Sequence, residues 1–204
     1  MSKVLVLSDC DGVLAHTPKA VERFHSKRYG AEYDLRELAK HGKIHPWQEN
    51  PTEENRRWDE FYQSQEFREI LPIEGALEGI DSIRLLNEGY EVSVLTARPT
   101  QLQESTLRWI HTHFQNRFRD VVFSVPYINC PNPVAENKAK LCLRLGARYI
   151  IEDTPENAVE CAKVGISAIV LDQPWNQNYY LPPEVRRARN WEEVVELIRS
   201  VSNK

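Results

Sequence analysis

The sequence has little of what exported, membrane-inserted or polynucleotide-coating proteins need. The apolar run near its start covers only residues 4–7, Val-Leu-Val-Leu, too short for a signal-peptide core or a membrane span. Neither export nor membrane insertion is expected, and the reading is a cytoplasmic protein. There is no excess of positive charge: 26 Lys and Arg stand against 30 Asp and Glu, a net charge of −4, so no global field exists to hold a nucleic-acid backbone. Cysteine is scarce and unpaired in sequence. Cys10, Cys130, Cys142 and Cys161 form no CxxC, which disfavours a zinc or redox motif and leaves reduced, structural thiols. Neither GxxxxGK[ST] nor GxGxxG occurs, so no motif signals a nucleoside triphosphate or dinucleotide. Internal repeats and low-complexity segments are absent as well.

What is present is an ordinary globular composition, 41% apolar and 27% charged over 204 residues, enough for one domain with a modest insertion. Short apolar runs at 4–7, 92–95, 121–123, 149–151 and 166–171 are apolar on both faces, as buried parallel strands are. Helical patterns separate them. Leu77, Ile80, Ile83 and Leu86 share one helical face, with Gly89 where a left-handed cap belongs. Thr154-Pro155 offers an N-cap and first-turn proline to a helix that Gly165 closes. Asn190 and Glu193 make a capping-box-like start for Trp191, Val194, Leu197, Ile198 and Val201. Strand alternating with helix predicts an α/β fold, a doubly wound parallel sheet.

Residues 15–71 break that alternation: they are charge-rich, carry Val21, Phe24, Tyr29, Leu35, Leu38, Trp58, Phe61 and Tyr62 in a helical pattern, and contain no apolar strand. Inserted directly after the first strand, they read as a small helical cap, leaving 1–14 and 72–204 as the catalytic core. Pro72 and Gly75 mark the return.

The first strand runs into Asp9-Cys10-Asp11-Gly12-Val13, which puts two carboxylates at a strand's C-terminal end, where open α/β sheets bind ligands. One carboxylate can attack a phosphorus in line while the other donates a proton and later activates water. Gly12 permits the sharp turn that follows. Asp-Gly pairs are also common in plain turns, so this motif needs support. Thr96, at the end of a strand, can hydrogen-bond a phosphoryl oxygen, and Lys138, near a helix start, can bring an ammonium to it. Asp153, following the strand at 149–151, can join Asp9 in an all-oxygen site of the kind magnesium prefers. Cys10 lies between two acids that raise its thiol pKa, which disfavours cysteine chemistry.

Asp9-Cys-Asp11-Gly, Thr96, Lys138 and Glu152-Asp153, in this order and each at a strand end or helix start, resemble the four motifs of the haloacid dehalogenase-like superfamily over nearly the whole chain. The resemblance implies that Asp9 is the nucleophile and Asp11 the acid/base, with Thr96 and Lys138 binding phosphate. It also implies that Asp9, the backbone carbonyl of Asp11, and Asp153 hold Mg2+. An aspartate at position 11 points to phosphatases. The stretches Leu-Pro-Ile-Glu-Gly-Ala at 71–76, Leu-Thr-Ala-Arg-Pro at 95–99, Ile-Glu-Asp-Thr-Pro-Glu-Asn at 151–157 and Asp-Gln-Pro-Trp-Asn at 172–176 resemble the bacterial 5′(3′)-deoxyribonucleotidase-type branch, as does Val13. The chain departs from the pattern at Glu152, where aspartate is frequent, and at Lys140, which competes with Lys138.

The expectation is therefore a phosphomonoesterase acting on a small phosphorylated substrate, with nucleoside monophosphates favoured. Alternatives are a polynucleotide-end phosphatase, suggested by Thr-Leu-Arg-Trp-Ile at 106–110 but disfavoured by the acidic balance, a phosphatase of another small metabolite, and a non-catalytic binding protein. His111 and His113, two residues apart, fall on different helix faces and are not read as ligands. His16, His45, Trp47, Trp58 and Tyr62 are read first as surface or cap-packing residues, with substrate contact as the second reading. Arg186-Arg187-Ala188-Arg189 is read as a solvated basic face. The sequence carries no signal of oligomeric state.

Overall fold

A computed structural model describes residues 3–30, 35–36, 51–86, 89–124 and 137–202. Leu38, His45, Trp47 and Cys130, singled out above, lie outside them. Six strands, β1 (Val4–Ser8), β2 (Tyr90–Thr96), β3 (Val121–Phe123), β4 (Ala147–Glu152), β5 (Ser167–Leu171) and β6 (Val185–Ala188), form one sheet in the order β3-β2-β1-β4-β5-β6. Every pairing is parallel. Buried on both faces, the central strands need apolar side chains on both, which is why they read as continuous runs. The strand order reverses between β1 and β4, and the C-terminal ends at such a switch point leave a crevice between the following loops.

The helices are α1 (Thr17–Tyr29), α2 (Pro51–Gln63), α3 (Gln65–Arg68), α4 (Ala76–Leu85), α5 (Gln103–Phe114), α6 (Lys138–Leu145), α7 (Pro155–Lys163) and α8 (Trp191–Ser202). None of the described helices is long and apolar enough to cross a membrane. Two apolar clusters lie against the sheet, one built around Val6, Val92, Ile80 and Trp191 and the other around Leu7, Leu141, Ile150 and Val170.

Three local expectations are corrected. Gly89 does not cap α4, which ends at Leu85 with Leu86 in right-handed geometry. The basic run at 186–189 is a solvated face only at Arg189: residues 186–188 belong to edge strand β6, and Arg187 ties that strand to Asp172, Asn176 and the Tyr179 carbonyl. An edge strand with one long-stemmed arginine over neighbouring carbonyls has no apolar alternation to read. Thr154 precedes α7 without capping it, because its hydroxyl donates to Asp153 Oδ1 at 3.2 Å instead.

Between β1 and α4 the chain leaves at Ala15 and returns at Pro72, and the two ends are pinned together: Ala15 bridges Pro72, His16 N donates to the Leu71 carbonyl (2.9 Å) and Ile73 N to that of Leu14 (2.8 Å). The described residues between these points form α1, α2 and α3. They pack through aromatic edges, Phe61 meeting Phe24 at 5.6 Å and Phe67 at 5.5 Å between ring centroids. Fully burying each such ring stabilises by roughly 1.5–3 kcal/mol.

Candidate active site

The loop after β1 is shaped by one turn. Asp9 N continues the ladder by donating to the Ile151 carbonyl (2.9 Å), and the Cys10 carbonyl then accepts from Leu14 N and Ala15 N, both at 2.8 Å. Gly12 sits at φ +75, and a β-carbon there would overlap the Asp153 carboxylate, so only glycine allows the two loops to approach this closely. Asp9, Glu152 and Asp153 are thereby brought together, with one carboxylate oxygen of each within 4.8 Å of the others.

Lys138, the first residue of α6, lies between two of these acids, its Nζ 2.8 Å from Asp9 Oδ2 and 2.7 Å from Glu152 Oε1. Lys140 is exposed on the same helix, so the ammonium in the site belongs to Lys138. Three carboxylates and one ammonium, all buried, sum to −2 if every group is ionised. Two like charges about 4 Å apart cost roughly 4 kcal/mol at an effective dielectric constant near 20. Accordingly, burial, reinforced by Glu152 and only partly offset by Lys138, raises Asp9 to about 7, and burial with the charges of Asp9 and Glu152 lifts Asp153 well above the carboxylate range. Glu152 Oε2 is buried with no hydrogen-bond partner among the described residues. An all-oxygen cluster with excess negative charge and an orphaned oxygen suits a hard divalent cation.

Asp11 faces a different partner. Arg98 forks onto it, Nε donating to Oδ1 (3.1 Å) and Oδ2 (3.0 Å) and Nη2 to Oδ1 (2.7 Å), and the Thr17 hydroxyl donates to Oδ1 as well. Burial alone would raise the Asp11 pKa, but the guanidinium, its hydrogen bonds and that of Thr17 outweigh it and hold the carboxyl below its ordinary value. Arg98 is itself only 5% exposed, and its Nη1 donates to Thr106 Oγ1 at 3.3 Å. The run at 106–110 thus has a local task on α5: Thr106 holds Arg98, and the Trp109 indole N–H donates to the Ile70 carbonyl at 2.7 Å.

Asp9, Asp11, Lys138, Asp153, Arg98 and Thr17 line a cavity of about 290 Å3, together with Val21, Trp58, Tyr62 and Phe67 from α1, α2 and α3. Trp58 and Tyr62 stack on each other at 5.5 Å, packing among the helices as first read, and both also line the cavity. Thr96 is fully buried at the end of β2 and is not among the lining residues; its hydroxyl accepts from Arg98 N (3.1 Å). His16 is half-buried and does not line the cavity. Cys10 is buried, and burial pushes its thiol far up, with Asp11 and Asp9 adding to the shift.

Sequence reasoning left Arg98 without a role and missed the 172–176 run as a support. Trp175 Nε1 donates to Asp153 Oδ2 (3.1 Å), Asn176 Nδ2 to the Asp153 carbonyl (2.8 Å), and Gln173 Nε2 to the Gly12 carbonyl (2.8 Å). The available signal was a polar-aromatic cluster directly after β5, on the same sheet edge as the acids.

A family model described as 5′ nucleotidase, deoxy (pyrimidine), cytosolic type C protein matches residues 3–204. No curated protein matches the chain in sequence. Among solved structures, the chain is similar to a "predicted phosphatase" from Clostridium acetobutylicum (16% identity, 98% of this chain and 100% of that one, TM-score 0.66). It is similar also to a haloacid dehalogenase-like family hydrolase from Streptococcus pneumoniae (14% identity, 96% and 98%, TM-score 0.66). A third is a haloacid dehalogenase-superfamily hydrolase, subfamily IA, from Geobacter sulfurreducens (18% identity, 96% of both chains, TM-score 0.58). At these identities the structures share the fold.

Proposed function

Since the chain belongs to the 5′-nucleotidase, deoxy (pyrimidine), cytosolic type C family, phosphatases of the haloacid dehalogenase-like superfamily, we propose that it is a magnesium-dependent phosphomonoesterase that hydrolyses small nucleotides through an aspartyl-phosphate on Asp9. The observation that carries this reading is the cluster of Asp9, Asp153 and Lys138 on the lining of a cavity that aromatic residues also line, with Glu152 buried behind them. Asp9, Asp153 and the Asp11 backbone carbonyl would hold Mg2+, with Glu152 fixed beside them by Lys138. The ion, when bound, neutralises the acids and polarises the phosphoryl oxygens so that an anionic nucleophile can approach.

The chain's own groups then divide the work. Asp9 Oδ attacks phosphorus, the P–O bond to the leaving group breaks, and the departing oxygen takes a proton from Asp11. Lys138 binds the phosphoryl oxygens, and Thr96, buried behind the cavity, holds the backbone of Arg98. Water next attacks phosphorus, gives its proton to Asp11, and the Asp9–phosphoryl bond breaks to release phosphate. The Arg98 fork holds Asp11 in the ionised form that suits this second step. For the first step Asp11 must carry a proton, so Arg98 has to loosen as substrate enters, exchanging a carboxylate for the incoming anion. Residues 15–71 act as a cap that selects the substrate, with Trp58 and Tyr62 offering planar surface to a base. The family's cytosolic description supports a cytoplasmic placement.

The test is phosphate release from ribo- and deoxyribonucleoside 5′- and 3′-monophosphates, a 3′-phosphorylated oligonucleotide and an aryl phosphate, with magnesium or with EDTA. Nucleoside monophosphates should lead and EDTA should abolish turnover. Undiminished rates in EDTA, or preference for the oligonucleotide, would overturn the reading.

A further inference from the structure

A second cavity, of about 440 Å3, lies beside the first and takes no part in the mechanism above. Tyr62, Phe67 and Arg98 line both, so they form the wall between them. That wall is packed: Phe67 and Arg98 are 7% and 5% exposed, the Arg98 guanidinium carbon lies 5.4 Å from the Phe67 ring centre and 5.8 Å from that of Trp109, and Phe67 meets Tyr62 edge-on at 5.4 Å.

The chemistry of the second chamber is cationic and aromatic. Arg68, Arg98 and Arg108 line it, and no carboxylate does among the described residues. Arg98 is spent on Asp11, but Arg68 donates only to the Gln63 carbonyl and has no carboxylate partner among the described residues. Arg108 pairs with Glu104, whose side chain is 87% exposed, so solvent screens that pair and an entering anion can compete for the guanidinium. Trp109 adds a flat ring that cannot swing away, because its N–H is anchored to Ile70, and His113 lies against it with ring centres 4.9 Å apart. Paired guanidinium forks recognise phosphate oxygens, and a fixed indole recognises a planar ring. On a protein of net charge −4, such a pocket is a local reversal of sign.

We propose that this chamber is a second nucleotide-binding site, with Arg68 and Arg108 taking the phosphate and Trp109 the base. It stands on the second cavity alone and does not depend on what the first one hydrolyses.

The test is calorimetric titration of the full-length protein with deoxyadenosine 5′-monophosphate in EDTA, which prevents turnover. The Arg68→Glu/Arg108→Glu double variant should bind one molecule fewer per chain than the parent, or bind it roughly a hundredfold more weakly. Both side chains are exposed, so the variant should keep the parent's melting temperature. The Arg68→Lys/Arg108→Lys variant, which keeps charge but loses the planar fork, should retain the site with roughly tenfold weaker binding. Equal stoichiometry and affinity in parent and Glu variant, or no binding to either, would overturn the proposal.

Discussion

At the scale of single residues, the site is organised by two cations with opposite tasks. Lys138 joins Asp9 to Glu152 and so belongs to the cluster that would hold an ion, whereas Arg98 joins Asp11 to the wall of the cavity. Arg98→Ala removes the fork that orients Asp11 without touching Asp9, so turnover should fall about a hundredfold, within the range general acid–base catalysis contributes. The loss should be larger for aryl than for alkyl esters, because the fork favours the ionised Asp11 that activates water, and that step limits turnover when the leaving group needs little protonation. Steady-state kinetics on both ester types, with Arg98→Lys as a partial rescue, checks this; equal losses on both would mean that Arg98 serves only the fold. The glycine at position 12 was legible as a turn residue. Its second constraint, close approach to Asp153, was not, because that contact links residues far apart in sequence.

At the scale of elements, α4 and α8 pack closely enough that a β-carbon at Gly79 would lie 2.5 Å from Trp191 Cε3. Trp191 in turn donates its indole N–H to the Val13 carbonyl at 3.1 Å, tying α8 to the loop that carries Asp11. Alanine at 79 gains about 1 kcal/mol of helix propensity, but overpacking a rigid buried ring costs about 1–3 kcal/mol. Gly79→Ala should therefore lose about 1 kcal/mol net, lowering Tm by roughly 2–4 °C. Calorimetry measures this, and a raised Tm would refute the tight packing. The five apolar strands, α4, α7 and α8 could be read from the sequence because periodicity and apolar runs report burial directly. The sixth strand could not, since Val-Arg-Arg-Ala at 185–188 buries only its first and last residues and satisfies its arginines on neighbouring oxygens. Asp9, Asp11, Thr96, Lys138 and Asp153 could be singled out by their places at strand ends and helix starts. Arg98 and Trp175 could not be given roles, because each works through a partner that only the sheet order brings near.

At the scale of the whole molecule, the acidic cluster links stability to pH and to metal. Asp9 is raised from an ordinary 3.8 to about 7, and Asp153 is raised as well. A raised carboxyl contributes stability that is present below its unfolded value and lost as pH climbs through its folded value, here between about 4 and 7. A divalent ion competes with those protons, so its benefit must grow with pH. Magnesium at about a hundredfold excess over its dissociation constant should add roughly 2.7 kcal/mol at pH 8, raising Tm by roughly 5–10 °C. The increment should be markedly smaller at pH 5.5. Comparing melts with magnesium and with EDTA at each pH removes the opposing contribution of His16 and His113, whose pKa values burial lowers. An increment independent of pH would place the ion elsewhere.

The central claim is that phosphate passes through Asp9, held against Lys138 at the end of β1. The direct measurement is rapid quenching of the Asp11→Asn variant during turnover of an aryl phosphate with magnesium, followed by intact-mass and peptide analysis. In that variant Asp9 can still displace the good leaving group of an aryl phosphate but water is no longer activated, so the protein should accumulate one phosphoryl group per chain, located on Asp9. A phosphoryl group on any other residue, or none during measurable turnover, would contradict the account.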